Sequence, residues 1–227
     1  SRNARRAHHV TRCDWRGVKR TGLCMETGLL KAWKATGLGT GYSSVAVVDG
    51  RVITMGDGPD GARVLAFNVK DGLPLWQTEV IGKPGGNYPG TRCTPAVDGG
   101  LVYALGQFGD FVCVEAKSGK ILWTKSLQKD FGGGFAGWNY TESPLVDGNK
   151  VLLTPGGKQG TMVALDKKTG ALIWQSKGWT ESAAYSSIVP SDFGGKHHYV
   201  RARVTPKKII FFSVKKSVKK FSFPVCK

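Results

Sequence analysis

The side chains that could do chemistry fall in four short segments of the chain. These are 35–44 with Tyr42 and Ser43, 82–93 with Tyr88 and Arg92, 131–143 with Trp138, Asn139, Tyr140 and Glu142, and 178–187 with Trp179, Glu181 and Tyr185. Aromatic rings beside a guanidinium and carboxylates suit a planar, anionic or sugar-like ligand, through stacking and bidentate hydrogen bonds. The same side chains also suit a packed plug of loops. Glu142 and Asn139 could supply oxygens to a metal, but they are three residues apart on one segment, which is not a ligand set. Gly37-Leu38-Gly39-Thr40-Gly41 lacks the Lys and the helix of a phosphate loop and reads as a turn. His8-His9 and His197-His198 have no second pair at ligand spacing. Cys13, Cys24, Cys93, Cys113 and Cys226 are odd in number, with no C-x-x-C, and define neither a metal site nor a disulfide framework. No metal site and no catalytic residue is assigned.

What positions these segments is a repeat. Asp-Gly pairs follow short apolar runs at Asp49-Gly50, Asp98-Gly99 and Asp147-Gly148, 49 residues apart each time. Each is followed by a Gly and, four residues on, a Trp: Gly72 and Trp76, Gly119 and Trp123, Gly170 and Trp174. The two marks move together, so the repeated unit is longer than one hairpin. Within it lie four β segments, beginning in the first copy with Ser44–Val48 and Arg51–Met55 across Asp49-Gly50, where a type I′ turn needs positive φ at both central residues. No helical periodicity of useful length runs between 40 and 190. Four antiparallel strands per unit, in tandem, predict an all-β fold: a β-propeller with about three complete four-stranded blades (44–80, 94–128, 143–177) and a partial fourth (184–200).

Composition and charge agree. Gly is 32 of 227 residues, about twice the ordinary roughly 7%, yet aromatics reach 10%, which excludes a disordered Gly-rich linker. The net charge of +17 first suggests a nucleic-acid binder, but residues 1–34 carry 9 basic and 2 acidic side chains and residues 196–227 carry 10 and none. The centre is neutral. Nucleic acid is therefore not the expected partner; binding of a polyanion by the basic ends, Arg2 to Arg12 and the Lys pairs 207–208, 215–216 and 219–220, is the remaining route. No run of apolar residues is long enough for a membrane span, and Ser1 opens a polar, Arg-rich stretch with no signal-peptide core.

Ala164-Leu165-Asp166-Lys167-Lys168-Thr169-Gly170-Ala171-Leu172-Ile173-Trp174 resembles the A-x-D-x-x-T-G-x-x-x-W motif of pyrroloquinoline-quinone (PQQ) repeat propellers, the group containing quinoprotein dehydrogenases and outer-membrane-assembly propeller lipoproteins. The first repeat keeps Ala66, Asn68, Asp71, Gly72 and Trp76 in those places; the second keeps Glu115, Ser118, Gly119 and Trp123, with Cys113 for Ala. The resemblance covers about residues 14–200, including Asp14-Trp15-Arg16-Gly17 and Thr27-Gly28-Leu29-Leu30, and implies that Asp166, Gly72, Gly119 and Gly170 shape turns while Trp76, Trp123 and Trp174 dock on neighbouring blades. It also places ligands at the mouth of the central channel, where the four segments above would lie.

The expectation is an exported, periplasmic, non-catalytic binding or scaffold module with a protein or small-ligand partner, and with self-association through open blade faces. No cofactor is expected; PQQ with calcium, and with it a quinoprotein dehydrogenase acting on alcohols or sugars, follows from the resemblance alone. The adjacent-cysteine element of several such enzymes is absent. The expected division is a basic segment 1–34, blades over 35–200, and a basic tail 201–227 outside the fold, since no Gly-x-x-x-Trp follows Val200.

Overall fold

At Asp49-Gly50 the chain reverses between β1 (Ala46–Val48) and β2 (Arg51–Gly58), with φ of 46° and 73° at the two turn residues. This is the type I′ geometry that matches the right-handed twist of the flanking strands. Two more strands complete the sheet, β3 (Gly61–Asn68) and β4 (Pro74–Gln77), in the order β1-β2-β3-β4, every neighbour antiparallel. The computed structural model describes residues 32–86, 88–204, 208–214 and 218–224. The chain divides into two units, 1–34 and 35–227, and the described structure lies almost wholly in the second. The Arg-rich stretch, the motif-like residues 14–30, His8-His9, Cys13, Cys24 and Cys226 lie outside the described residues.

The same sheet recurs. The second blade holds β5 (Ala96–Asp98), β6 (Leu101–Leu105), β7 (Asp110–Glu115) and β8 (Ile121–Ser126); the third holds β9 (Leu145–Asp147), β10 (Lys150–Leu153), β11 (Val163–Asp166) and β12 (Leu172–Gln175). Strands β1 and β5 are neighbours, as are β5 and β9, so the first strand of each blade is the innermost. The inner turns differ by one position. In the second blade Asp98 pairs with Leu101 and the turn is Gly99-Gly100; in the third Asp147 pairs with Lys150 and the turn is Gly148-Asn149. The Asp-Gly pair thus sits at the centre of the first turn only, and in the others the Asp closes the strand.

In the first three blades the second strands are buried without alternation, as in Val52 to Asp57 and Val102 to Gln107. One core lies among the first three blades, around Ile53, Val64, Tyr103, Phe111, Leu153 and Leu165; a second, with Leu152, Met162, Trp179 and Tyr199, joins the third blade to the fourth. Two stretches read as loop are ordered. Residues 56–63 extend the β2–β3 hairpin, with Gly56 opposite Arg63 and Asp57 opposite Ala62. Gly56 is required there because a Cβ would stand 1.7 Å from the Leu38 carbonyl oxygen. After β8 comes one helical turn, α1 (Leu127–Phe131), too short to register as periodicity; its N-cap Ser126 accepts from the Lys129 N–H at 3.2 Å.

The tail corrects the sequence expectation. The fourth sheet is β13 (Val189–Phe193), β14 (Lys196–Val204), β15 (Lys208–Val214) and β16 (Val218–Pro224), in chain order and antiparallel. The fourth blade therefore has four strands, and residues 201–204, 208–214 and 218–224 belong to it rather than lying outside the fold. The register gives the reason. Ala202 pairs with Phe211 and Val204 with Ile209, then Phe211 with Phe221 and Ile209 with Phe223, so one face carries Val200 and these six apolar residues. What reads as a basic run is, over 208–214 and 218–224, a pair of antiparallel strands. Four blades of this kind are an incomplete propeller.

Candidate mouth site

Counting back from the first inner-strand residues Ala46, Ala96, Leu145 and Val189, the chain approaches each blade through equivalent positions. Four residues upstream stand Tyr42, Arg92, Thr141 and Tyr185; three upstream stand Ser43, Cys93, Glu142 and Ser186; two upstream stand Ser44, Thr94, Ser143 and Ser187. The last two sets tie blades together. Ser43 Oγ donates to the Cys93 carbonyl. Thr94 N–H donates to Ser143 Oγ at 3.0 Å, and Ser143 N–H to Ser187 Oγ at 3.0 Å. Ser43 is therefore a link between blades rather than a ligand group.

Glu142 is buried as well. Thr154 donates both its N–H to Oε1 at 2.5 Å and its hydroxyl to Oε2 at 2.7 Å. Burial pushes its carboxyl up, opposed by the positive charge of Arg201, itself buried on β14. Both oxygens are used and a guanidinium faces them, so Glu142 is a tie between the third and fourth blades. Tyr140 is buried, donates to the Pro155 carbonyl at 2.8 Å, and burial raises its phenol. In the Glu142 position of the second blade, Cys93 accepts from the Leu105 N–H at 3.4 Å, and burial pushes its thiol up to about 12. Cys113 is likewise at about 12.

Arg92 has internal work too. Its Nη2 donates to the Tyr88 carbonyl at 2.5 Å, and its Nη1 lies 3.2 Å from Gln107 Oε1 and 3.3 Å from the Gly90 carbonyl. It stands 5.6 Å from the centre of the Tyr42 ring. The expected bidentate grip on an anion is taken up by the loop. Gln107, only 1% exposed, uses its whole amide: Nε2 donates to Asp57 Oδ2 at 3.0 Å and to the Gly85 carbonyl at 2.6 Å, while Oε1 accepts from Arg92 and, at 3.5 Å, from Asn139 Nδ2. Asp57, Gln107 and Asn139 join blades one, two and three under the mouth. Sequence reasoning missed Asp57 and Gln107, because both sit where Gly56-Asp57-Gly58 and Gly106-Gln107-Phe108-Gly109 read as plain loop; the signal available was a buried-type polar residue between glycines in matching hairpins.

What remains on the surface is aromatic. Tyr42 is 63% exposed, Tyr88 57%, Trp138 47% and Tyr185 47%, and every exposed large aromatic among the described residues belongs to these four segments. Tyr88 and Trp138 stack, with ring centres 4.6 Å apart and 31° between planes. Tyr88 and Asn139 have φ of 56° and 63°. Asn tolerates that left-handed backbone; a Tyr there costs about 1 to 2 kcal/mol, so the ring is held at an energetic cost. Beside this surface lies an open groove of about 420 Å³, walled by Pro59, Pro84 and Pro89 with Thr40, Asp57 and Gly85 among its lining.

At the outer edge, Trp76 Nε1 donates to the Ala116 carbonyl at 3.1 Å and its ring lies where a Cβ on Gly119 would be 2.6 Å away. Trp123 covers Gly170 at 2.9 Å in the same sense. Among the described residues its Nε1 has no hydrogen-bond partner; Lys167 O, the carbonyl equivalent to that of Ala116, accepts from Tyr103 at 2.9 Å. Trp174 meets Tyr199 of the fourth blade, ring centres 6.1 Å apart. Gly72, Gly119 and Gly170 all take φ near 70°, at 72°, 77° and 70°. Asp166 Oδ1 accepts from the Lys168 and Thr169 N–H groups and the Thr169 hydroxyl, at 2.9 to 3.0 Å, and these bonds hold its carboxyl below the usual range.

A calcium-bound quinone asks for six to eight oxygen ligands. The donors here do not fit it: Glu142 is consumed by Thr154 and faces Arg201, Asn139 is tied to Gln107, and among the described residues no group of three or more His, Cys, Asp or Glu could hold a metal.

Comparison with known proteins places this architecture. A BamB from Moraxella catarrhalis superposes with a TM-score of 0.50 at 17% identity, over 84% of this chain and 49% of that one. An outer membrane protein assembly factor BamB of Kangiella koreensis is 29% identical over 171 residues, 70% of this chain and 40% of the relative. The quinoprotein alcohol dehydrogenase PedH of Pseudomonas putida is 26% identical over 153 residues, 64% of this chain and 25% of the enzyme. The chain thus spans two fifths or less of these curated relatives. No helix among the described residues is long and apolar enough to cross a membrane. The family model described as outer membrane protein assembly factor BamB matches residues 60–203, and with the repeated blades and their Gly-x-x-x-Trp turns this chain belongs to that family of PQQ-like β-propellers.

Proposed function

We propose that this chain is a non-catalytic, exported propeller module that binds a protein partner through its mouth, in the assembly of outer-membrane proteins. One observation carries this reading: the polar groups at the mouth are engaged internally while four aromatic rings stand exposed. Glu142, Arg92, Gln107 and Asn139 hold blades and loops together, which removes the acid, base and cation that a reaction at this surface would use. Exposed Tyr and Trp are residue types that dominate protein interfaces, offering large area with few rotatable bonds, and Tyr88 and Trp138 are stacked on each other. The BamB relatives, by their name, act in assembly rather than in turnover of a small molecule, and the Kangiella koreensis one matches 70% of this chain against 64% for the dehydrogenase. Periplasmic residence follows from the same relatives.

The test is a photo-crosslinking amino acid at Tyr88 or Tyr185 in a bacterium with an outer membrane, with the exposed Leu73 of the opposite end as control. Adducts with a component of the outer-membrane assembly machinery from the mouth positions, and none from Leu73, are expected. Equal labelling from Leu73, or no such adduct from the mouth, overturns the reading. PQQ with Ca²⁺ added to the purified chain is expected to leave its melting temperature unchanged and to produce no dye reduction with alcohols or sugars; a stabilised, active species would establish the dehydrogenase alternative.

A further inference from the structure

We propose that Asp49-Gly50 is a self-modification site, where the turn between β1 and β2 converts to an isoaspartyl linkage through a succinimide, promoted by Arg51.

The reaction needs no partner but water. The Gly50 amide nitrogen loses its proton and attacks Cγ of Asp49; the N–Cγ bond forms, the Cγ–OH bond breaks, and water leaves behind a cyclic imide. Water then adds to either imide carbonyl. Cleavage on the Cγ side restores aspartate, and cleavage on the other side leaves the chain running through Cγ, one backbone atom longer. Glycine best admits this closure, since no Cβ stands beside the attacking nitrogen.

The sequence holds six Asp-Gly pairs, beginning at Asp49, Asp57, Asp60, Asp71, Asp98 and Asp147. The fold restrains five of them. Asp57 is 5% exposed, accepts from Gln107 at 3.0 Å, and lies within the paired run of β2 opposite Ala62. Asp60 accepts two bonds from Arg63, at 2.7 and 2.6 Å, and a Cβ on Gly61 would stand 2.1 Å from the Gly82 carbonyl oxygen, so the chain there has no room to reshape. Asp71 accepts from the Leu73 N–H at 3.0 Å, and the nitrogen that would attack it, that of Gly72, donates to the Asn68 carbonyl at 2.9 Å. Asp98 is paired with Lys167 at 2.5 Å, and Asp147 accepts from the Tyr199 hydroxyl at 2.5 Å with His197 Nε2 at 3.3 Å. The backbone of both is held in a ladder, opposite Leu101 and Lys150. The Tyr199 bond to Asp147 and the Arg63 bonds to Asp60 keep these two carboxyls below the usual range, which depletes the neutral acid that expels water.

Asp49 has none of these restraints. It and Gly50 are exposed, and among the described residues no hydrogen bond reaches the Asp49 carboxylate or the Gly50 N–H. The pair fills the centre of the turn, between the paired Val48 and Arg51, and a Cβ on Gly50 would meet nothing within 4 Å, so the ring has space to close. Asp49 has φ of 46°, a backbone that an L-residue adopts at a cost, so reshaping this turn sacrifices little. The promoter is beside it: Arg51 Nη1 donates to the Asp49 carbonyl at 3.0 Å. That carbonyl and the Gly50 nitrogen belong to one amide. A guanidinium on the oxygen stabilises the negative charge that spreads there as the nitrogen loses its proton.

The full chain is aged at near-neutral pH, folded and, in parallel, unfolded in guanidinium chloride. Isoaspartate is quantified with an isoaspartyl methyltransferase and placed by mass spectrometry of the peptides. In denaturant the six pairs are expected to react alike. In the folded chain Asp49 is expected to exceed each of the other five by about fivefold or more, the factor that one net hydrogen bond represents. An even spread in the folded chain, a maximum at another pair, or the same preference for Asp49 in denaturant overturns the site. Arg51→Met is expected to slow the folded-state reaction at Asp49 by about threefold or more, with Arg51→Lys, which keeps the charge, closer to the wild type. A poorly folded variant would react faster, so slowing reports the guanidinium; a rate that does not fall in Arg51→Met overturns the part given to Arg51.

Discussion

Replacing Gly119 with Ala tests how one blade is locked to the next. Gly119 takes φ of 77°, and a Cβ built on it stands 2.6 Å from Cε3 and 2.8 Å from Cδ2 of Trp76. Two costs add. The left-handed backbone costs an L-residue about 1 to 2 kcal/mol. The methyl also drives into a ring whose Nε1 is held by the Ala116 carbonyl at 3.1 Å, and overpacking of that kind costs about 1 to 3 kcal/mol. The sum is about 2 to 5 kcal/mol. Gly99→Ala is the reference, because Gly99 has φ of 54° and nothing within 4 Å of its Cβ position, so it carries the backbone cost alone. With a urea slope of about 2 kcal/mol/M, the midpoint is expected to fall by about 1 to 2.5 M for Gly119→Ala and by about 0.5 to 1 M for Gly99→Ala. In a Trp76→Ala background the excess should vanish, giving a coupling of about 1 kcal/mol or more. If Gly119→Ala matches Gly99→Ala, or the excess survives loss of the ring, the Trp-on-Gly contact is not what couples these blades.

Three further outcomes follow from the same geometry. With Cys13, Cys24 and Cys226 changed to Ser, Cys93 and Cys113 should resist a thiol reagent at pH 8 in the native state and react fully in urea, since burial holds both at about 12; fast native labelling would contradict their placement. Asp60 is lowered to about 2, mainly by its hydrogen bonds with Arg63, so the stability it contributes is present above its unfolded value of 3.8 and is lost as pH falls toward 2. Asp60→Asn should flatten the urea midpoint against pH in that window, and an unchanged slope would refute the pairing. Glu142→Ala removes the carboxylate that faces buried Arg201 and the acceptor for both Thr154 donors; a loss of about 3 to 5 kcal/mol is expected in urea unfolding, with Glu142→Gln milder, and a neutral Ala variant would show that the tie contributes nothing.

Much of the fold is legible because its determinants are local. A type I′ turn at Asp49-Gly50, a left-handed Gly four residues before each Trp, and the Asp166-Thr169 turn bonds all lie within a few residues of one another, and local backbone chemistry repeats wherever the residues repeat. The fourth blade was harder to read: β15 and β16 lack the Gly-x-x-x-Trp mark, and paired lysines mask an alternation that becomes plain only once Phe211 is set opposite Phe221. Propensity and charge are properties of the segment, whereas register belongs to the pair of strands.

The mouth divides in the same way. Composition alone picked out Tyr42, Tyr88, Trp138 and Tyr185, and these rings do face solvent. It could not separate them from Ser43, Tyr140, Glu142 and Arg92, whose polar atoms are consumed by Cys93, Pro155, Thr154 and Gln107. Those partners lie 12 to 50 residues away in sequence. The sequence by itself determined a beat of four-stranded blades, a neutral centre and the loops that meet at one end. Only the tertiary structure decided which side chains in those loops are ties and which are surface, and it brought Asp57 and Gln107 into view. The reason is physical: a hydrogen bond is satisfied by whatever donor the fold brings within about 3 Å, and that proximity is set by how blades stack, which no local pattern encodes.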